Sequence, residues 1–147
     1  MRGKLTRKLE EYLETIYSIK IHEGKKVVRI KDVAEHMNVS MSTVTDAMNR
    51  LSELGYVDYQ KREYIDLTEK GFKRARELHE TENILVRFLT EFLQIDPNES
   101  KINACKIEHE LDKKVIKHIE IFMKFLDKCY GKQLIEKFKS YLEEGGC

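Results

Sequence analysis

The stretch RIKDVAEHMNVSMSTVTDAMNRLSELGYV, Arg29 to Val57, decides the fold. Its first part reads as a short helix, Lys31 to Met37, with Val33, Ala34 and Met37 turned inward at helical spacing. Asn38, Val39 and Ser40 form a brief turn, and the Ser40 hydroxyl is placed to cap a second helix, Met41 to Leu54. Val44, Met48 and Leu51 give that helix one buried face, and Gly55 supplies a left-handed stop. Two short helices at this separation predict a helix-turn-helix. Downstream, Val57 and Tyr59 alternate with polar residues, Gln60 to Glu63 turn, and Ile65 with Leu67 alternate back. That pattern predicts a two-stranded wing with Lys61 and Arg62 at its tip.

Outward on the second helix lie Ser42, Thr43, Thr45, Asp46, Asn49 and Arg50. Hydroxyls and helix N-terminal amides suit phosphate oxygens, and Asn49 or Arg50 can reach base edges or backbone. Helix-turn-helix shapes also serve as plain interaction folds, but a wing with a basic tip is an independent feature pointing to double-stranded DNA. The expected contacts are therefore Ser40, Ser42, Thr43, Thr45, Asp46, Asn49, Arg50, Lys61 and Arg62. The helix is thin in arginine and carries Asp46, and the net charge of the chain is only +1. Each module should bind modestly through phosphates, which favours a dimer spanning two half-sites.

Around this core the chain reads as mainly helical. A first helix from about Thr6 to His22 carries Leu9, Tyr12, Leu13, Ile16 and Tyr17 on one stripe, and Val27 to Ile30 reads as a short extended piece. Thr68 opens a long helix, through Gly71 to about Leu93, with Phe72, Ala75, Leu78, Leu85, Leu89 and Phe92 on its apolar face. Asp96, Pro97 and Glu99 mark another start, for a helix stopping near Leu111. Asp112 precedes a helix through Val115, Ile119, Phe122, Met123 and Leu126, and Gly131 begins a last one with Leu134, Ile135, Phe138, Tyr141 and Leu142. These faces exceed what a winged helix needs, so residues 73–147 are expected to form an all-helical dimerisation domain after a DNA-binding domain at 1–72.

Composition excludes several classes. With 36% charged and 41% hydrophobic residues the chain is globular rather than disordered, and it has no apolar run near the roughly 20 residues of a membrane span. The N-terminus lacks an apolar signal core, so the cytoplasm is expected. Three cysteines without close pairing argue against a disulfide framework. No HExxH, P-loop or nucleophile elbow is present, and neither an enzyme nor a small organic substrate is expected.

The segment INACKIEHEL, Ile102 to Leu111, packs a core poorly but suits a divalent cation. Cys105, Glu108 and His109 stand at i, i+3 and i+4 on one helical face. Alone, Cys105 reads as filler, Glu108 with His109 as a solvated pair, Glu11 and Glu14 as surface charge, and Glu82 as half of an ion pair. Together they offer up to six donors if their helices pack.

At this combination the chain resembles the diphtheria toxin repressor and manganese transport regulator family of metal-dependent transcriptional repressors. EEYLETIY (10–17) is similar to the family's first-helix ligand motif, SMSTVTDAMNRLSELGYV (40–57) to its recognition helix, YIDLTEKG (64–71) to its wing return, and CKIEHEL (105–111) to its helix ligands. The resemblance implies a metal set of Glu11, Glu14, Glu82, Cys105, Glu108 and His109. Glu11 stands where relatives carry Met or Asp, and Glu82 where they carry His, with His79 one turn earlier as the alternative. The ancillary positions of the iron branch fall at Glu82, Val86 and Lys101, so that second site is expected to be lacking, and the chain resembles the shorter, two-domain type. Carboxylates suit Mn(II), and a thiolate with imidazole suits Fe(II), Co(II), Ni(II) or Zn(II); Fe(II) or Mn(II) is favoured. The implied function is cation-dependent binding of a homodimer to a palindromic operator, repressing metal-uptake genes. The competing reading is a winged-helix regulator that needs no metal.

Overall fold

Thr6 starts the first helix as its sequence suggests: its hydroxyl accepts the Leu9 N–H at 3.3 Å, and α1 runs Arg7–Ile21. The structure is a computed structural model that describes residues 3–60 and 64–146. It divides into two compact units, residues 1–79 and 80–147. The division falls inside a long helix, later than the expected boundary at residue 72.

In the first unit the α1 stripe Leu9, Tyr12, Leu13, Ile16 and Tyr17 is buried as predicted, with Ile19 added. The predicted extended piece shrinks to a single bridge, where the Val28 carbonyl accepts the Ile65 N–H at 2.8 Å. Ile30 already belongs to α2, Ile30–Met37, whose first turn is closed by the Arg29 N–H donating to the Asp32 carboxylate at 2.8 Å. Asn38 takes a left-handed conformation at φ +53°, which asparagine tolerates better than most side chains. Ser40 then caps α3, Met41–Glu53, accepting the Thr43 N–H at 3.1 Å. Val44, Met48 and Leu51 are fully buried in a core shared with α1, α2 and the hairpin. Gly55 ends the helix at φ +83°.

Strands β1, Val57–Gln60, and β2, Tyr64–Leu67, pair antiparallel, with Val57 opposite Leu67 and Tyr59 opposite Ile65. The wing is thus present, while its predicted basic tip, Lys61 and Arg62, lies outside the described residues. Its return is stitched to the end of α3. Thr68 donates its N–H to the Tyr56 carbonyl at 3.1 Å and its hydroxyl to the Gly55 carbonyl at 2.6 Å, and the same hydroxyl accepts the Gly71 N–H at 3.1 Å. Lys70 adds a bond to the Leu54 carbonyl at 3.0 Å and lies 4.3 Å from the Tyr56 ring centre.

From here α4 runs Glu69–Arg87 and passes into one π-helical turn, Phe88–Phe92, where the sequence predicts plain α-helix to Leu93. The stripe also needs correction at Phe72, which is exposed at 39% although its ring rests 5.4 Å from that of Tyr17. Ala75, Leu78, Leu85 and Phe92 are buried as predicted.

In the second unit Asp96 accepts the N–H groups of Asn98 and Glu99 at 2.9 and 3.2 Å and starts α5, Pro97–Ile107. This helix stops short of the predicted Leu111, so Glu108 is its C-cap and a turn follows. Helices α6, Lys113–Cys129, and α7, Gly131–Glu144, complete the unit. Its core is small: Leu85, Ala104 and Ile116, with Leu89 and Ile119 packed against them. On α6, Met123 is buried and Ile119 packs against the core as predicted, but Ile116 joins them in place of Val115 and Phe122. Ile116 and Met123 point in, whereas Val115 and Phe122 are exposed; on α7 Tyr141 and Leu142 are exposed too. Helical periodicity places two apolar stripes on α6 but does not say which of them this chain covers by itself.

Candidate functional site

The reading face of α3 is built by its cap. Ser40 Oγ also lies 2.7 Å from Thr43 Oγ1, which fixes both hydroxyls at the helix N-terminus, where amides and dipole favour an anion. Ser42, Thr43, Asp46, Asn49 and Arg50 are exposed and Thr45 is partly so, with its hydroxyl donating to the Met41 carbonyl at 3.0 Å. Burying Val44, Ala47, Met48 and Leu51 forces this polar set outward. All the α3 residues predicted to face DNA therefore lie on the accessible side.

The predicted metal donors are spread over three helices. On α1, Glu11 is half-buried, with one oxygen 3.5 Å from Arg7 Nε and the other 3.3 Å from Lys8 Nζ. Glu14 is half-buried one turn on. Glu10, directly before Glu11, carries no role in the sequence analysis; it is buried and accepts Arg74 Nε and Nη2 at 3.2 and 2.7 Å, tying α1 to α4. Only a contact across the fold could reveal that pairing, since the two residues are far apart in the chain.

In the second unit, the end of α5 delivers Glu108 and His109. Their side chains are 0% and 1% exposed, and His109 Nε2 stands 3.0 Å from a Glu108 oxygen. Among the described residues, no hydrogen bond with proper geometry reaches either Glu108 oxygen, the His109 ring being a close polar neighbour at ion-pair distance. A buried carboxylate without donors is costly, and a dication is the partner that would compensate it. Glu82, half-buried on α4, shares this environment. Burial first, then the Glu108 carboxylate, raise its pKa above the ordinary glutamate value, with Lys101 and His109 pulling the other way. Cys105 is exposed on α5, one turn before Glu108. His79, the alternative to Glu82, is in the first unit, its ring 5.6 Å from Tyr17 and 4.9 Å from His22.

The arrangement makes Glu82 a source of strain when no cation balances it. Its folded pKa lies above the unfolded value, so ionisation at neutral pH destabilises the fold, and the cost is relieved as pH falls through the raised pKa. In chelator at neutral pH, Glu82→Gln is expected to stabilise the protein by on the order of 1 kcal/mol. Melting curves against pH check this: the advantage of Gln should vanish in acid.

Comparison with known proteins places these features together. Residues 4–64 match the iron dependent repressor N-terminal DNA binding domain, and residues 68–137 match the iron dependent repressor metal binding and dimerisation domain. An uncharacterised HTH-type transcriptional regulator of Methanocaldococcus jannaschii is 36% identical over 84% of this chain and 99% of its own length. The HTH-type transcriptional regulator MntR of Listeria monocytogenes serotype 4a is 31% identical over 83% of this chain and 84% of its own. Among solved structures, a manganese-dependent transcriptional repressor in complex with manganese superposes with a TM-score of 0.71 at 26% identity, covering 80% of this chain and 53% of that one. The chain thus spans about half the length of such solved structures, but nearly all of the archaeal relative.

Proposed function

Since the chain belongs to the iron dependent repressor family of metal-dependent transcriptional regulators, we propose that it is a homodimeric repressor of metal-uptake genes whose hold on operator DNA is set by a divalent cation. The observation that carries this reading is the fully buried Glu108 with His109 at 3.0 Å, beside Glu82, in a chain whose other unit presents a capped helix-turn-helix. A buried cluster of two carboxylates and an imidazole carries net negative charge, which a cation would balance.

The donor set is proposed from chemistry and family position. Glu108, His109 and Glu82 hold the cation, Cys105 adds a thiolate, and Glu11 and Glu14 of α1 complete the shell. A cation bound there supplies the positive charge that makes ionised carboxylates tolerable at one point. Donors contributed by different helices then lose their independence, so less ordering remains for DNA to impose. Fe(II) or Mn(II) is the favoured cation, with Co(II), Ni(II) or Zn(II) fitting the same donors. Exposed Val115, Phe122, Tyr141 and Leu142 supply an apolar surface suited to a second copy. A twofold dimer reads a palindrome. No step of this function turns over a substrate, and among the described residues no helix is long and apolar enough to cross a membrane.

The test is selection of bound duplexes from a random pool, in Mn(II), Fe(II) or chelator. A palindrome enriched only with a cation supports the proposal. Equal enrichment in chelator returns the metal-independent winged-helix reading.

A further inference from the structure

Two imidazoles outside the proposed centre meet within the first unit. His22 is the C-cap of α1 and is exposed, and His79 stands half-buried on α4. Their ring centres lie 4.9 Å apart at an interplanar angle of 52°. Tyr17, which is buried, touches both, its ring centre 6.3 Å from that of His22 and 5.6 Å from that of His79. The Tyr17 ring also meets Phe72 at 5.4 Å.

Ring packing alone does not call for nitrogen at these two places, since phenylalanine covers Tyr17 equally well at position 72. A cation does call for it. Metal–nitrogen bonds of about 2.0–2.1 Å to two imidazoles in adjacent coordination positions put ring centres roughly 4.5–5.2 Å apart. The observed separation of 4.9 Å falls inside that span. The backbone on both sides is fixed: the His22 N–H donates to the Ser18 carbonyl at 2.9 Å, and Leu78, beside His79, is buried. The exposed His22 ring is free to turn about χ2 and present a nitrogen. The acid that follows it, Glu23, pairs with His36 Nε2 at 2.6 Å.

We propose that His22 and His79 form a second cation site, which takes a borderline divalent ion of the Ni(II), Cu(II) and Zn(II) class with water completing its shell. Imidazole suits these ions, whereas carboxylate oxygen suits Mn(II) better. The site ties the C-terminal end of α1 to α4 inside the DNA-reading unit. It goes beyond the carboxylate centre proposed above and shares no donor with it.

The test counts ions bound by the full chain in equilibrium dialysis against Ni(II) and, separately, against Mn(II). His22→Phe and His79→Phe keep a ring on Tyr17 and remove only the nitrogens. Each is expected to bind one Ni(II) fewer per chain than wild type, with the Mn(II) count unchanged. Ni(II) should still raise the melting temperature of Glu108→Ala, and should no longer do so once His22→Phe is added. His118→Phe, which removes an exposed histidine of α6, is the control and should keep the wild-type count. In chelator the phenylalanine variants should melt within a few degrees of wild type, which separates loss of a ligand from misfolding.

An unchanged Ni(II) count in either His22→Phe or His79→Phe overturns the site. An equal loss in His118→Phe also overturns it, because the ion would then be held adventitiously by exposed imidazoles. Loss of Mn(II) together with Ni(II) in His79→Phe overturns the pair as well, and would assign His79 to the carboxylate centre.

Discussion

Replacing Glu108 by alanine is expected to erase the protein's response to divalent cations. Its side chain is 0% exposed, stands 3.0 Å from His109 Nε2, and among the described residues receives no hydrogen bond on either oxygen. Deleting a ligand of this kind should weaken cation affinity by at least about 100-fold. The effect reads directly as stability. A cation at a hundredfold excess over its dissociation constant stabilises wild type by about 2.7 kcal/mol, whereas Glu108→Ala should gain almost nothing at the same concentration. Without cation the order is expected to narrow or invert, because the variant no longer buries an uncompensated carboxylate. Denaturation curves in chelator and in Mn(II) check both limbs. A purely structural glutamate would destabilise equally in both.

The second large effect concerns a residue with no chemistry. Gly71→Ala is expected to cost about 3 kcal/mol or more and to remove DNA binding at temperatures where wild type is folded. A Cβ at this position would fall 1.8 Å from the Tyr56 carbonyl oxygen and 2.9 Å from its carbon. Both are backbone, held by the Thr68 bond to that same carbonyl, so neither can swing aside. The start of α4 would have to lift off the end of α3, breaking the contacts of Thr68 with Gly55 and of Lys70 with Leu54. Gly146→Ala, with nothing within 4 Å, is the neutral control. Urea midpoints decide the matter: a difference between the two variants under about 1 kcal/mol would mean that the close approach is not a constraint.

Gly71 also shows where sequence reading runs out. It sits unremarkably inside a predicted helix, since nothing local says that a carbonyl from another element presses on it. By contrast, the helix-turn-helix was legible almost to the residue. Ser40, Gly55 and the Val44, Met48, Leu51 spacing are local signals, and local signals decide helix starts, stops and buried faces. The second unit was less transparent. On α6 the stripe gave Ile119 and Met123 correctly, but it included Val115 and Phe122, which are exposed, and left out Ile116, which is buried; burial depends on neighbours distant in sequence. For the same reason the π-helical turn at Phe88–Phe92 and the early end of α5 escaped the periodicity. Among the donors, the i, i+3, i+4 pattern singled out Glu108 and His109, which prove buried and adjacent, and Cys105, which is exposed. Glu82 could be chosen over His79 only by an ungapped register. Its shared electrostatics with Glu108 and His109, and the packing of His79 against Tyr17 and His22, are properties of the folded chain.

The central claim is that cation and DNA act on each other through one site, and reciprocal coupling measures it most directly. The dissociation constant for a selected palindromic duplex should be determined in chelator and in saturating Mn(II), and that for Mn(II) with and without the duplex. The two ratios are expected to agree, at about 100-fold, a coupling of roughly 2.7 kcal/mol, and to collapse together in Glu108→Ala. Equal duplex affinity in chelator and in Mn(II), with Mn(II) bound just as tightly in the absence of DNA, would contradict the account.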